Sequence, residues 1–164
     1  MGTQNVFVYG TLKKGEPNQH WLTNESHGFA KYLGNATTSE KYPLVIASRY
    51  NIPFLLDKQG TGQFVTGEIY EVDDKMLQNL DVLEDYPSWY VRERRMFKFS
   101  HDQSNVEAWV YLLQTYKESL LELPFLQDYK SQGMHGLKYC EPEKRDEAYD
   151  ACSDVQGYPH TDEK

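Results

Sequence analysis

Two places in the sequence combine residue types that do chemistry. In the first, the apolar run Val6-Phe7-Val8-Tyr9 breaks abruptly into Gly10-Thr11-Leu12. A glycine at the end of a buried strand lets the backbone come close to a ligand, and neighbouring N–H groups in a turn can point to one place. The second is Glu84, with Asp81 and Asp85 nearby. At about 100° per residue, Glu84 falls within about 60° of Leu77 and Leu80, so it borders an apolar helical stripe, while Asp85 lies further round toward solvent. A carboxylate on the core side of a helix is costly to bury, which makes it either a paired structural acid or a functional group with a raised pKa. Asp81 reads as a helix-surface acid. Taken alone, neither feature names a reaction.

The elements that would carry these groups are mostly strands. Val6 to Tyr9 is a short continuous apolar strand of the kind buried on both faces. "YPLVIA" (Tyr42 to Ala47) and "IPFLL" (Ile52 to Leu56) form a strand pair joined by Ser48 to Asn51, and "FVTGEIYEV" follows the turn-rich "DKQGTGQ" as another strand. The period then changes: Asp73 is an N-cap, and Met76, Leu77, Leu80 and Leu83 recur three or four apart on one helix face, which Pro87 ends. "WYVRERRMFKF" and "VEAWVYLLQ" alternate as two more strands around the polar turn "SHDQSN". "KESLLELPFLQDYKSQ" is a weaker helical candidate, interrupted by Pro124. Five or six strands with a single clear helix point to an α+β fold, a small barrel or strongly curved sheet with the helix packed at its mouth.

Bulk properties narrow the function classes. The chain of 164 residues has the size of one domain, with enough apolar (39%) and aromatic (14%) residues to pack a core unaided. Its net charge of −8 is uneven: residues 140–164 carry eight acids against three bases, and the body is near balance. A nucleic-acid footprint needs a basic patch, and positive residues cluster only at Arg92, Arg94 and Arg95, which read as one solvated strand face. Lys13 and Lys14 read as part of an exposed loop. Cys140 and Cys152, the two cysteines, have no metal-ligand spacing and read as reduced thiols. No apolar leader and no run of membrane-spanning length occurs, so the expectation is a cytoplasmic protein that binds neither membrane nor nucleic acid. The body is expected to span residues 1–139. Residues 140–164 are expected to be an acidic, flexible tail that offers a docking arm to a protein partner.

Several segments together carry a resemblance. "VFVYGTL", "YPLVI", "NIPFLL", "GEIYEVD", "LDVLEDYPSWYVRER" and "HGLKY" follow one another in the order and approximate spacing of the gamma-glutamyl cyclotransferase-like superfamily. The chain resembles that superfamily over about residues 6–139, most closely its branch that acts on gamma-glutamylamines. The shorter relatives tend to end soon after their His-Gly-x-x-Tyr segment. The resemblance implies a small mixed β-barrel with flanking helices, a gamma-glutamyl substrate held by Tyr9, Gly10, Thr11 and Leu12, and Glu84 as catalytic acid/base. It implies no cofactor and no metal. In the reaction so implied, the substrate's own α-amino group attacks its γ-carbonyl, closing 5-oxoproline and releasing an amine, as in the clearing of gamma-glutamyl crosslinks. Tyr9, Leu44, Ile46 and Tyr90 are expected to line the pocket, with His135 and Gly136 either closing it or forming surface structure. Two alternatives stay open: a cyclotransferase for gamma-glutamyl amino acids or glutathione, and an idle barrel serving as a protein-binding module.

Overall fold

Val6, Phe7 and Val8 are buried in succession because their strand is covered on both sides, as a continuous apolar run requires. In the computed structural model, which describes residues 2–48, 50–84, 86, 89–131, 135–137, 139, 140 and 155, this strand β1 (Gln4–Val8) belongs to a closed barrel. The others are β2 (Ala30–Tyr42), β5 (Gln63–Val72), β6 (Val91–Phe99) and β7 (Asn105–Leu112). The order around the barrel is β1-β5-β2-β6-β7, antiparallel throughout except where β7 meets β1 in parallel and closes the ring. β3 (Leu44–Ala47) and β4 (Ile52–Leu55) form a separate antiparallel hairpin.

Alternation along the strands makes two cores. Phe7, Ala36, Val65, Ile69, Phe97, Ala108 and Val110 face inward. Phe7 and Phe97 stack at 4.2 Å although β1 and β6 are not neighbours, so their contact crosses the lumen. Gly67 makes room for this: a Cβ there would lie 2.7 Å from the Phe7 ring and 2.3 Å from the Val8 carbonyl. The outward residues Val6, Val8, Tyr70, Val72 and Tyr111 pack under Met76, Leu77 and Leu80 of α2 (Asp74–Leu83). The helix therefore covers the outer face of the barrel rather than plugging its mouth. A filled lumen leaves the helix's apolar stripe only the outer face to bury.

Asp73 caps α2, its carboxylate accepting from the N–H of Met76 at 2.9 Å and of Phe29 at 3.0 Å. Those bonds to the charged form lower its pKa. The helix ends at Leu83, and Pro87 lies outside the described residues.

Two elements differ from the sequence reading. β2 runs for 13 residues through a polar stretch, and a register shift between Thr37 and Lys41 interrupts its pairing with β5. Buried Thr38 fills that irregularity, donating to the Glu40 carbonyl and accepting from the Val65 N–H. The second helical candidate is only a 3-10 turn over Glu118–Glu122. Beyond Pro124 the backbone bonds sideways instead, Leu126 N–H to the Leu44 carbonyl and Thr66 N–H to the Gln127 carbonyl, both at 2.8 Å.

The tail reading falls on residues outside the description except at Cys140 and Val155. Val155 is fully buried in the outer core and its carbonyl accepts from the Lys117 N–H at 2.8 Å.

Candidate active site

The turn after β1 is shaped by contact with the hairpin. Gly10 has no room for a side chain, since a Cβ would lie 2.9 Å from Cγ of Pro53 on β4. The chain then bends back, with Lys13 N–H donating to the Gly10 carbonyl at 3.1 Å and Asn18 N–H to the Thr11 carbonyl at 2.8 Å. Among the described residues, the N–H groups of Gly10, Thr11 and Leu12 have no protein acceptor, although Gly10 and Leu12 are buried. Buried backbone donors are nearly always paired, so three unspent ones in sequence mark a place for a ligand oxygen.

Glu84 lies one step beyond the position that helical periodicity assigns. It is the C-cap of α2, and its N–H closes the last turn on the Leu80 carbonyl at 2.9 Å. The residue keeps partial solvent exposure, yet its carboxyl is surrounded deeply enough that burial pushes its pKa up to about 8. The negative end of the helix dipole acts in the same direction. Among the described residues the carboxyl accepts no hydrogen bond and forms no ion pair, so nothing offsets its desolvation.

Tyr9 joins the two parts. It precedes Gly10, it is buried, and its hydroxyl donates to the Tyr111 carbonyl at 2.8 Å. Burial, reinforced by the charge of Glu84, raises its pKa well above the tyrosine range; Tyr111 is raised by burial first, then by its hydrogen bond to Asp81 and the charge of Asp81, with Glu84 adding less. Both phenols are therefore neutral and close enough to Glu84 to feel its charge. Of the other expected pocket residues, Leu44 and Ile46 share the inner cluster with Tyr9. Tyr90 packs with the outer cluster, stacked on Phe54 at 5.9 Å, and its hydroxyl donates to the Pro53 carbonyl at 3.4 Å.

Three readings of charged groups are corrected by the fold. Lys13 is buried, not part of an exposed loop: its ammonium pairs with Asp128 at 2.7 Å and bonds the Tyr129 carbonyl, pinning a distant segment beside the turn. Lys14, by contrast, is exposed as read, and lies over the Tyr32 ring, 3.4 Å from its centre. Asp81 is no free surface acid, since Arg92 grips it bidentately at 2.8 and 2.9 Å and the Tyr111 hydroxyl donates to it at 2.7 Å. Arg95 is partly buried, paired with Asp57 at 3.3 Å and Glu93 at 3.4 Å. Arg92 and Arg95 are thus spent on internal partners, while Arg94 stays exposed, as the solvated-face reading has it. Asp85 lies outside the described residues.

The fold also adds residues that spacing could not indicate. Asn18 reaches both the Thr11 hydroxyl, at 2.9 Å, and the Tyr139 hydroxyl, at 3.1 Å. It thereby ties the His-Gly-x-x-Tyr segment to the donor turn. His135 is occupied locally: its Nδ1 accepts from the Leu137 N–H, its Nε2 donates to the Lys130 carbonyl, and its ring stacks on Tyr129. It is a strut of that segment. No three His, Cys, Asp or Glu side chains among the described residues are grouped to hold a metal ion.

Residues 6–131, which include the turn and Glu84, match the family described as gamma-glutamyl cyclotransferase, AIG2-like. The chain belongs to this family. It is 52% identical over 130 residues to a Drosophila melanogaster protein named Troponin C-akin-1, covering 79% of this chain and 78% of that one. It is 48% identical over 140 residues to the Bos taurus protein named gamma-glutamylaminecyclotransferase, covering 85% of this chain and 83% of the other. The crystal structure of an AIG2-like protein from Mus musculus matches with a TM-score of 0.85 at 44% identity, covering 88% of this chain and all of that one. The closed mixed barrel is thus the fold of the family.

Proposed function

We propose that this member of the family is a gamma-glutamylamine cyclotransferase. It would convert a compound such as gamma-glutamyl-epsilon-lysine into 5-oxoproline and the free amine. The observation that carries the reading is Glu84, a carboxyl without a partner among the described residues, its pKa raised to about 8, whose charge is felt by Tyr9 at the head of a turn of unspent N–H donors. The name of the bovine relative supports the choice of substrate class.

The chemistry needs three things, and each has a residue. The substrate's α-ammonium must lose a proton before its nitrogen can attack, and Glu84 as carboxylate takes it. The nitrogen then bonds to the γ-carbon, and the carbonyl oxygen gains negative charge facing the N–H groups of Gly10, Thr11 and Leu12, which stabilise it as an oxyanion hole does. As the bond to the leaving amine breaks, Glu84 returns that proton to the departing nitrogen; the second proton, shed by the new lactam nitrogen, passes by the same carboxyl to the amine, which leaves as an ammonium. The buried, neutral Tyr9 walls the site, limiting the conformations of the γ-glutamyl chain so that nitrogen and carbonyl meet. All atoms balance without any further reactant, because the substrate supplies its own nucleophile.

The test is 5-oxoproline release from gamma-glutamyl-epsilon-lysine by the parent and by Glu84→Gln. The parent should turn over, and the variant should be slower by about 10²–10⁴, the usual contribution of a general base. Faster cleavage of a gamma-glutamyl amino acid or glutathione would move the substrate assignment within the class. Turnover by both proteins at equal rates would overturn the role given to Glu84.

A further inference from the structure

The two phenols near Glu84 both point their single protons elsewhere. Tyr9 donates to the Tyr111 carbonyl, and Tyr111 donates to Oδ1 of Asp81 at 2.7 Å. A phenol has one proton to give, so neither can also donate to the Glu84 carboxylate. Asp81 in turn is held by Arg92, whose Nε bonds Oδ1 at 2.8 Å while a terminal nitrogen bonds Oδ2 at 2.9 Å. The Arg92 guanidinium lies over Trp109, 4.4 Å from its ring centre, and 5.1 Å from that of Tyr86. This is a rigid, bidentate and largely buried arrangement. A helix-end anchor would need only the ion pair; the third bond, to a phenol beside Glu84, is what asks for a reason.

We infer that Asp81 is a positioning residue for the reaction: by holding the Tyr111 proton, with Arg92 holding Asp81, it keeps the Glu84 carboxyl free of hydroxyl donors. The inference rests on the reading of Glu84 as acid/base. A hydroxyl donating to a carboxylate stabilises the charged form and weakens it as a base. With both protons directed away, desolvation acts unopposed, as the single cause of the raised Glu84 pKa reflects. The groups that feel the charge of that carboxyl are Tyr9, just after β1, and Tyr111 on β7; Asp81 stands three residues earlier on the helix chain, and Arg92 of β6 acts through its ion pair with Asp81.

The experiment titrates the Glu84 carboxyl directly, by carbon-detected NMR on the full chain labelled at glutamate, the signal being identified by its loss in Glu84→Gln. Replacing the ion pair as a unit, Asp81→Leu with Arg92→Met, leaves no orphan charge and frees the Tyr111 proton. The Glu84 midpoint should then fall by about one pH unit or more, a tenfold loss of proton affinity. Adding Tyr111→Phe to that variant should return it to the parent value. No fall, or a fall that persists without the phenol, overturns the inference.

Tyr111→Phe alone is a second test should the paired replacement not fold. It should leave the midpoint in place, because the proton it removes was never given to Glu84. A rise of about half a unit or more would show that Tyr111 donates to Glu84, and would overturn the inference. The titration needs no substrate, so its outcome is separable from that of the turnover assay. If the midpoints move as stated while Glu84→Gln still turns over, Asp81 sets the carboxyl's proton affinity and the acid/base reading fails.

Discussion

A carboxyl whose pKa is about 8 when folded and near 4.5 when free links protonation to stability with a definite sign. Because the folded pKa is raised, the folded state binds the Glu84 proton more tightly. The stability this gives is fully present below pH 4.5 and is lost as pH rises through about 8. Glu84→Gln removes the dependence. Thermal unfolding at pH 9 should therefore show the variant more stable than the parent, by up to a few kcal/mol, with its advantage shrinking toward pH 5. A constant difference across that range would mean the carboxyl is not desolvated. In turnover, the acid limb of kcat/KM for the parent should have a midpoint near 8, because the base must be ionised to act. Asp81 shows what the residue scale hides. Eleven positions from Arg92 and thirty from Tyr111, it looks like any exposed helical acid until the barrel brings both to it.

At the scale of elements, the site depends on how the β3–β4 hairpin seats against the turn after β1. Gly10 is required by contact with Pro53 rather than by an unusual backbone angle, since its φ is not among the positive values. Gly10→Ala should displace the hairpin or the turn by a fraction of an ångström. Misplacement on that scale lowers kcat/KM by about tenfold or more. Pro53→Ala removes the atom that the new Cβ would meet, so the double variant should recover most of the loss. Failure to recover would show that the turn itself, not the hairpin, cannot accept a side chain. Lys13 and Asn18 serve the same junction from the other side, one reaching Asp128 and Tyr129, the other Tyr139.

The whole molecule is a filled barrel with a second core on its outer face, and the chain's last described residue belongs to the second. Val155 is fully buried there, near the 3-10 turn whose preceding residue, Lys117, bonds its carbonyl. Val155→Ala should cost about 1–3 kcal/mol by chemical denaturation, the range for losing a buried aliphatic group. An unchanged unfolding midpoint would mean that this part of the tail adds nothing to the core. The same comparison made on turnover should show little change, because Val155 supplies no polar group to the reaction.

Local pattern determined much of this protein. The continuous apolar run of β1, the alternation of β5, β6 and β7, the Asp73 cap and the three-and-four spacing of Met76, Leu77 and Leu80 are properties of short windows, and the structure follows them. The glycine turn and a carboxyl at the edge of the helical stripe were legible for the same reason. β2 was not, because Gly34, Asn35, Thr37, Ser39 and Glu40 dilute its alternation, and pairing with β5 on one side and β6 on the other is what makes it a strand. Nor could spacing show that Lys13 is buried, that Arg92 and Asp81 hold a phenol, or that Asn18 meets Tyr139. Those contacts join residues up to 121 positions apart, and a polar group's burial is set by whether a distant partner arrives, which only the closed barrel decides.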